Sequence, residues 1–211
     1  VSEAAQGEAV YRQLEAAVRS TGGAAGKSAE QMSDMATQLQ RTSTFADDLI
    51  MGAQGVLLAF TRIKGENFDR TLQAVLDVSE RTGSGLEETA KKIGAALNDP
   101  ANAMRGLRTL GISLSASQKD VIKGLAETGR LAEAQTMILA ELGTQFGGSA
   151  EAARNTLGGA LLALQNSWGD LFEVQQTASQ GMTDSVNALN ATISDPAFKA
   201  AMDTVIHGLI D

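Results

Sequence analysis

The residues with the right types for chemistry are few, and each set lacks a member. Gly26-Lys27-Ser28 has the glycine, lysine and hydroxyl of a phosphate-binding loop. Such a loop needs a glycine five residues before the second glycine and a strand leading into it. Thr21 holds that position, and Tyr11 to Ser20 reads as helix. Gly83-Ser84-Gly85 opens a dinucleotide pattern, but Glu88 stands where the third glycine belongs. His207 is the single histidine and there is no cysteine, so a transition-metal site lacks partners. Asp47-Asp48 and Glu87-Glu88 are paired carboxylates only in sequence. Neighbours at i and i+1 on a helix do not face each other, so they read as solvated first-turn charges. Glu66 and Asp69 lie one turn apart and read the same way. No G-x-S-x-G elbow is present. The expectation is a protein with no catalytic, cofactor-binding or metal residues, and therefore not an enzyme.

The elements that would carry those residues are helical. Ala and Leu are abundant, Pro100 and Pro196 are the only prolines, and aromatics make up 4%. Gly is high at 22 residues, and each glycine inside a helix costs about 1 kcal/mol relative to Ala, so the helices should be short or broken. Lys and Arg total 17 against 25 Asp and Glu, a net charge of −8, and the basic residues are scattered. That argues against nucleic-acid binding, which draws its affinity from neutralised phosphates. Without cysteine, disulfides, thiolate zinc sites and cysteine nucleophiles are excluded. Leu49 to Phe60 is apolar except for Gln54, yet falls short of the roughly 20 residues that span a bilayer. It reads as a buried core helix. The chain opens at Val1 without a signal peptide and is expected to be part of a longer one.

Three regions follow. Residues 1–42 form a helical N-terminal arm, with Val10, Leu14 and Ala17 on one face and Met32, Met35 and Leu39 on another. Gly22 to Gly26 breaks it. Residues 43–148 form a compact domain of six or so short helices. Ser43 or Thr44 is expected to cap the first, with Leu49, Val56, Leu57 and Phe60 buried. Phe68, Leu72, Val75 and Leu76 mark the next, closed by Gly83. Ser84 with Glu87 forms a capping box for the helix of Leu86, Ala90, Ile93 and Leu97. Asp99-Pro100 starts another, which Gly111 closes. Ile112-Ser113-Leu114 alternates, too briefly for a sheet. Ser115 with Gln118 is a second capping box, and Gly129 ends its helix before the stripe Leu131 to Phe146. Residues 149–211 read as a long helix plus a terminal one. Ser149 caps the former, and its heptad seam Leu157, Leu161, Leu164, Trp168 and Leu171 is a coiled-coil segment expected to need a partner surface. Trp168 and Phe172 fit ordinary core packing or contact with a partner helix. Asp195-Pro196 starts the last helix. The fold class is all-α: a compact bundle of short helices with long helical arms.

One ordered series goes further. It runs from Gly85-Leu86-Glu87-Glu88-Thr89-Ala90-Lys91-Lys92-Ile93-Gly94 to Asp99-Pro100, then Gly106-Leu107-Arg108-Thr109-Leu110-Gly111-Ile112. It continues through Phe146-Gly147-Gly148-Ser149-Ala150-Glu151 to Asn166-Ser167-Trp168-Gly169-Asp170-Leu171-Phe172. This series resembles the helical region of the tail length tape measure proteins of siphophages and related prophages, over roughly residues 45–175. Residues 1–42 and 176–211 resemble only generic helical arms. The resemblance implies a structural virion protein that fills the tail tube lumen, sets tail length during assembly and leaves at DNA ejection. Its implied partners are tail tube proteins, tail assembly chaperones, tail tip proteins and further copies of itself. It would lie in the tail lumen of the virion, and in the bacterial host cytoplasm during assembly. Two alternatives remain: a membrane-active module making transient membrane contact through residues 49–60, and a secreted helical adhesin or effector.

Overall fold

The computed structural model of the chain describes residues 3–156, 158 and 159, with side chains from residue 7 onward. Among these lie α1 (Glu3–Ser20), α2 (Ala29–Gln40), α3 (Asp47–Leu58), α4 (Glu66–Thr82), α5 (Leu86–Asn98), α6 (Arg105–Thr109), α7 (Ala116–Glu127), α8 (Leu131–Phe146) and α9 (Ser149–Arg154). No strand occurs among the described residues, and the fold is all-α. The segment Ile112–Leu114 is irregular, and the amide of Gln145 pairs with the backbone of Ser113. The Ser113 N–H donates to Gln145 Oε1 (3.4 Å), and Gln145 Nε2 donates to the Ser113 carbonyl (2.7 Å).

α4 stands at the centre and meets α3, α5, α8 and α9. Phe68, Leu72, Val75, Leu76 and Val78 are all fully buried, covering more of the helix than one narrow stripe would. α3 lies to one side and packs on α1, α2 and α5. One continuous core runs from Leu14 in α1 through Met32, Leu57, Leu72, Ile93 and Ile138 to Ala150 in α9. Residues 7–40, expected as an arm, thus contribute Leu14, Met32 and Ala36 to that core. By contact the chain divides into residues 1–166 and 167–211. The second unit lies outside the described residues, as do the seam residues Leu157 to Leu171, Phe172, His207 and the helix expected after Pro196.

Several helix ends fall where expected. Gly83, Gly111 and Gly129 follow α4, α6 and α7 with φ of 68°, 78° and 80°. The Ser115–Gln118 capping box is present in both directions, at 2.8 and 3.2 Å. Others differ. α3 begins after Ala46, because the Ser43 hydroxyl donates back to the Leu39 carbonyl (2.8 Å) and that of Thr44 donates to Glu80 (2.6 Å). Gly85 rather than Ser84 precedes α5, and no side chain caps it. Asp99 closes α5 instead of opening a helix. Its carboxylate accepts from Asn102 Nδ2 (3.0 Å) and its carbonyl from the Ala103 N–H (2.9 Å), so a turn intervenes before Arg105. Ser149 is the first residue of α9 rather than its cap, and α9 stops at Arg154 instead of continuing as a long helix. The Thr156 hydroxyl accepts from the Gly159 N–H (3.0 Å), and the rest of the long helix expected to 193 lies outside the described residues.

The apolar run 49–60 supplies core, but in a different phase. Ile50, Ala53, Leu57 and Leu58 are buried, which turns Leu49 outward to 54% exposure and leaves Val56 and Phe60 half-buried. Gln54, the apparent interruption, faces inward: its Nε2 donates to the Met32 carbonyl (3.0 Å) and ties α3 to α2.

Candidate functional site

Several of the residues weighed for chemistry are engaged in structural contacts, and His207 lies outside the described residues. Lys27 pairs with Asp69 across the fold, Nζ to Oδ2 at 3.2 Å, so Asp69 meets a lysine rather than Glu66. Ser28 caps α2 in a full capping box with Gln31, at 2.9 and 3.1 Å. What resembles a phosphate loop in sequence is therefore a turn and a helix start. Gly83-Ser84-Gly85 is the turn between α4 and α5. The Asp47 N–H donates to Gln40 Oε1 and Asp48 Oδ1 accepts from the Leu49 N–H, both at 2.7 Å. Glu88 meets Lys92 one turn on at 2.6 Å. The hydrogen bond and then the charge of Lys92 hold the Glu88 carboxyl below its usual range. Among the described residues, no three His, Cys, Asp or Glu side chains converge as a metal site.

Three buried or half-buried polar side chains that the sequence reading passed over tie distant segments together. Gln135, 2% exposed on α8, donates through Nε2 to the carbonyls of Arg62 (3.0 Å) and Leu97 (3.1 Å). Its Oε1 accepts from Asn67 Nδ2 (3.1 Å). One amide thereby joins α8, the start of α4, the end of α5 and the α3–α4 connection. Asp77, 4% exposed on α4, accepts the Ala150 N–H at 3.0 Å. α9 has no side-chain cap of its own, so Asp77 supplies the acceptor that an N-terminus needs. From the other end of α9, Arg154 donates to the carbonyls of Gln40 and Ser43, both at 2.8 Å. The sequence does hold a signal for Asp77, a carboxylate set between Leu76 and Val78. A charge in a helix's buried face needs a partner.

Clefts open among the described residues, two of them beside α4 and α1. One, of about 530 Å³, lies among α4, α8 and α9 and includes Arg70, Gln73, Asp77, Gly143, Gly148 and Glu151. The other, of about 320 Å³, lies between α1 and α3 and is lined by Val10, Leu14, Met51, Gly52, Gly55 and Glu87. No helix among the described residues is long and apolar enough to cross a membrane. What these side chains provide is cohesion among helices.

The family model for prophage tail length tape measure proteins matches residues 3–123, more than half of the chain. No curated protein and no solved structure matches it. The match spans α1 to the middle of α7 and overlaps the resemblance read from sequence over residues 45–123. It also takes in residues 3–42, which read as generic arm. Their share in the core accounts for that, since α1 and α2 are built onto α3 rather than beside it. The chain belongs to the prophage tail length tape measure protein family, a structural part of the phage tail with a role in setting its length.

Proposed function

We propose that the chain is a section of the ruler that fills the lumen of the tail tube and leaves ahead of the DNA at ejection. The family match over residues 3–123 carries this reading. Its physical support is that every regular element among the described residues is a helix, because a helix converts residue number into length at about 1.5 Å per residue. A net charge of −8 favours release, since such a chain has little attraction for DNA phosphates. Copies lie side by side within the tube, with tail tube proteins around them, the tail tip at one end and chaperones holding them before assembly in the host cytoplasm. A membrane-active role through residues 49–60 would first require the unit to open, because Ile50, Ala53, Leu57 and Leu58 are in its core.

Tail length tests the proposal. Residues 3–156 should be deleted in frame from the tail protein, and duplicated in a second phage, with tails measured by electron microscopy. Deletion should shorten tails and duplication lengthen them. The change should be about 230 Å if the segment lies as extended helix, and a few tens of ångströms, roughly one domain diameter, if it stays folded as described. Tails of unchanged length in both phages would sink the ruler reading.

A further inference from the structure

α9 is a helix of six residues that rests on α4. It buries Ala150 alone, whereas α8 before it buries six residues, among them Ile138, Leu142 and Phe146. Glu151 and Ala152 are exposed, and Ala153 and Arg154 are half-buried. Taking one methyl group out of water is a small effect, so apolar burial by itself holds α9 weakly. Side chains tie both its ends to distant segments. Buried Asp77 of α4 takes the Ala150 N–H at the start (3.0 Å), and Arg154 at the finish donates to the Gln40 and Ser43 carbonyls (both 2.8 Å). Hydrogen bonds to charged groups are the stronger kind, and these ties fix where α9 lies.

The junction between α8 and α9 keeps the two helices separate. A Cβ at Gly147 would collide with the Gly143 carbonyl oxygen, and Gly148 has a φ of 76°. Both positions therefore call for glycine, and the break in the helix belongs to the sequence rather than to the docking of α9. α8 is anchored up to that break by Phe146, 9% exposed, and by the Gly147 N–H on the Gly143 carbonyl (3.0 Å). Beside the junction lies the cleft of about 530 Å³, which Asp77, Gly147, Gly148 and Glu151 help to line. Water in that cleft stands ready to solvate the Asp77 carboxylate when the Ala150 N–H leaves it, so opening does not strand a charge in a dry core.

We infer that residues 147–156 form a clasp, held shut by Asp77 and Arg154, which opens as one piece while α4 and α8 stay folded. Segments with few buried apolar contacts open at lower free energy than the core, and here a glycine junction marks where such opening stops. The two ties act at opposite ends of α9 and on different elements, so the loss of either releases one end. In a ruler, the clasp is a place where the chain gains reach without loss of core, and that use alone rests on the lumen reading. Opening itself is a property of the isolated chain, so its failure would leave the ruler proposal standing.

Amide hydrogen exchange on the full chain, read by mass spectrometry, tests the clasp. The amides of Ala150, Ala152 and Asn155 are all bonded in the closed form. In the unaltered chain they should nevertheless exchange about a hundredfold faster than the core amides of α4 and α8. Arg154→Met removes the tie at the far end and should speed these three about tenfold more, with α4 and α8 unchanged. Asp77→Asn, equal in size but uncharged, should act in the same direction from the near end. Should it lose helicity by circular dichroism, Arg154→Met decides alone, because Arg154 is only half-buried. Exchange of these amides no faster than that of the α4 core would overturn the clasp, since α9 would then open only with the whole unit. So would an Arg154→Met effect that spreads into α4 and α8, or one that leaves the three amides unmoved.

Discussion

α1 and α4 are almost the same length, 18 and 17 residues, yet they do different work. α4 buries nine residues, among them Asp77 and Ser79, whereas α1 buries Leu14 among its described side chains. Their lengths are similar, so length does not separate them. What does is how far around the helix the apolar residues extend. Val10, Leu14 and Ala17 make one narrow stripe, which suits a helix packed on a single side. Phe68, Leu72, Val75, Leu76 and Val78 spread wider and require neighbours on several sides, which α3, α5, α8 and α9 provide. The central helix defines the unit. The outer one packs on α3 and α2 through one face.

Removing the largest buried side chain of α4 is the strongest test of that contrast. Phe68→Ala should cost about 3–5 kcal/mol, lowering the thermal midpoint by roughly 10 °C or more in a single cooperative transition. A second experiment makes the same substitution in both helices. Leu72 and Leu14 are 0% and 1% exposed, so burial of the side chain itself does not distinguish them. Leu72→Ala should cost about 3–5 kcal/mol, and Leu14→Ala about 2 kcal/mol or less, because α1 is covered on one face and can shift to close part of the space. Hydrogen exchange should then show faster opening of α1 alone in the Leu14 variant, with the core amides unchanged. Equal losses of global stability from the two would erase the distinction between centre and periphery.

Smaller effects come from the caps. Ser28→Ala and Ser115→Ala each break a capping box on the solvent side and should each cost about 1 kcal/mol. The Ser28 change should also loosen the turn that carries α1, so faster exchange should spread to α1 from there and not from Ser115. Identical exchange in α1 for the two variants would show that the turn and the helix are uncoupled.

Period and turn chemistry made much of this legible in the sequence. The stripes of α4, α5 and α8 and the glycine stops after α4, α6 and α7 follow from local rules, and so does the Ser115 box. The misplaced features share a cause: a hydroxyl, carboxylate or amide with two claimants. Ser43 and Thr44 have the right type for a cap, but their hydroxyls go to Leu39 and Glu80. Asp99 has the right neighbour in Pro100, but its acceptors serve a turn. Ser28 was read within a phosphate-like triplet, although Gln31 three residues on signals a capping box. Among the ties, Gln135 and Arg154 bond to carbonyls far away in sequence, which no local pattern announces. The candidate site residues were legible mainly as solvated helix-start charges. Lys27–Asp69 is the exception, and it needs the tertiary fold to be seen.

The smallest expected effect concerns surface charge, and it checks that burial rather than ion pairing separates α4 from α1. Exposed Glu88 pairs with half-buried Lys92 along α5, and the hydrogen bond from Lys92, then its charge, hold the Glu88 carboxyl below the usual range. A carboxyl lowered by folding contributes stability above its unfolded value, and that contribution disappears as pH falls through the folded one. The window is therefore the usual carboxylate range and the region just below it. Lys92→Met should return Glu88 to the usual range in a carbon-detected NMR titration. It should leave the melting temperature near neutral pH almost unmoved, since exposed pairs contribute little. Added salt should likewise leave the difference between Leu72→Ala and Leu14→Ala intact, because the cost of an apolar cavity is not screened. A Lys92→Met loss as large as that of Leu72→Ala would mean that charge shares in holding the centre together, and the contrast drawn from burial alone would fail.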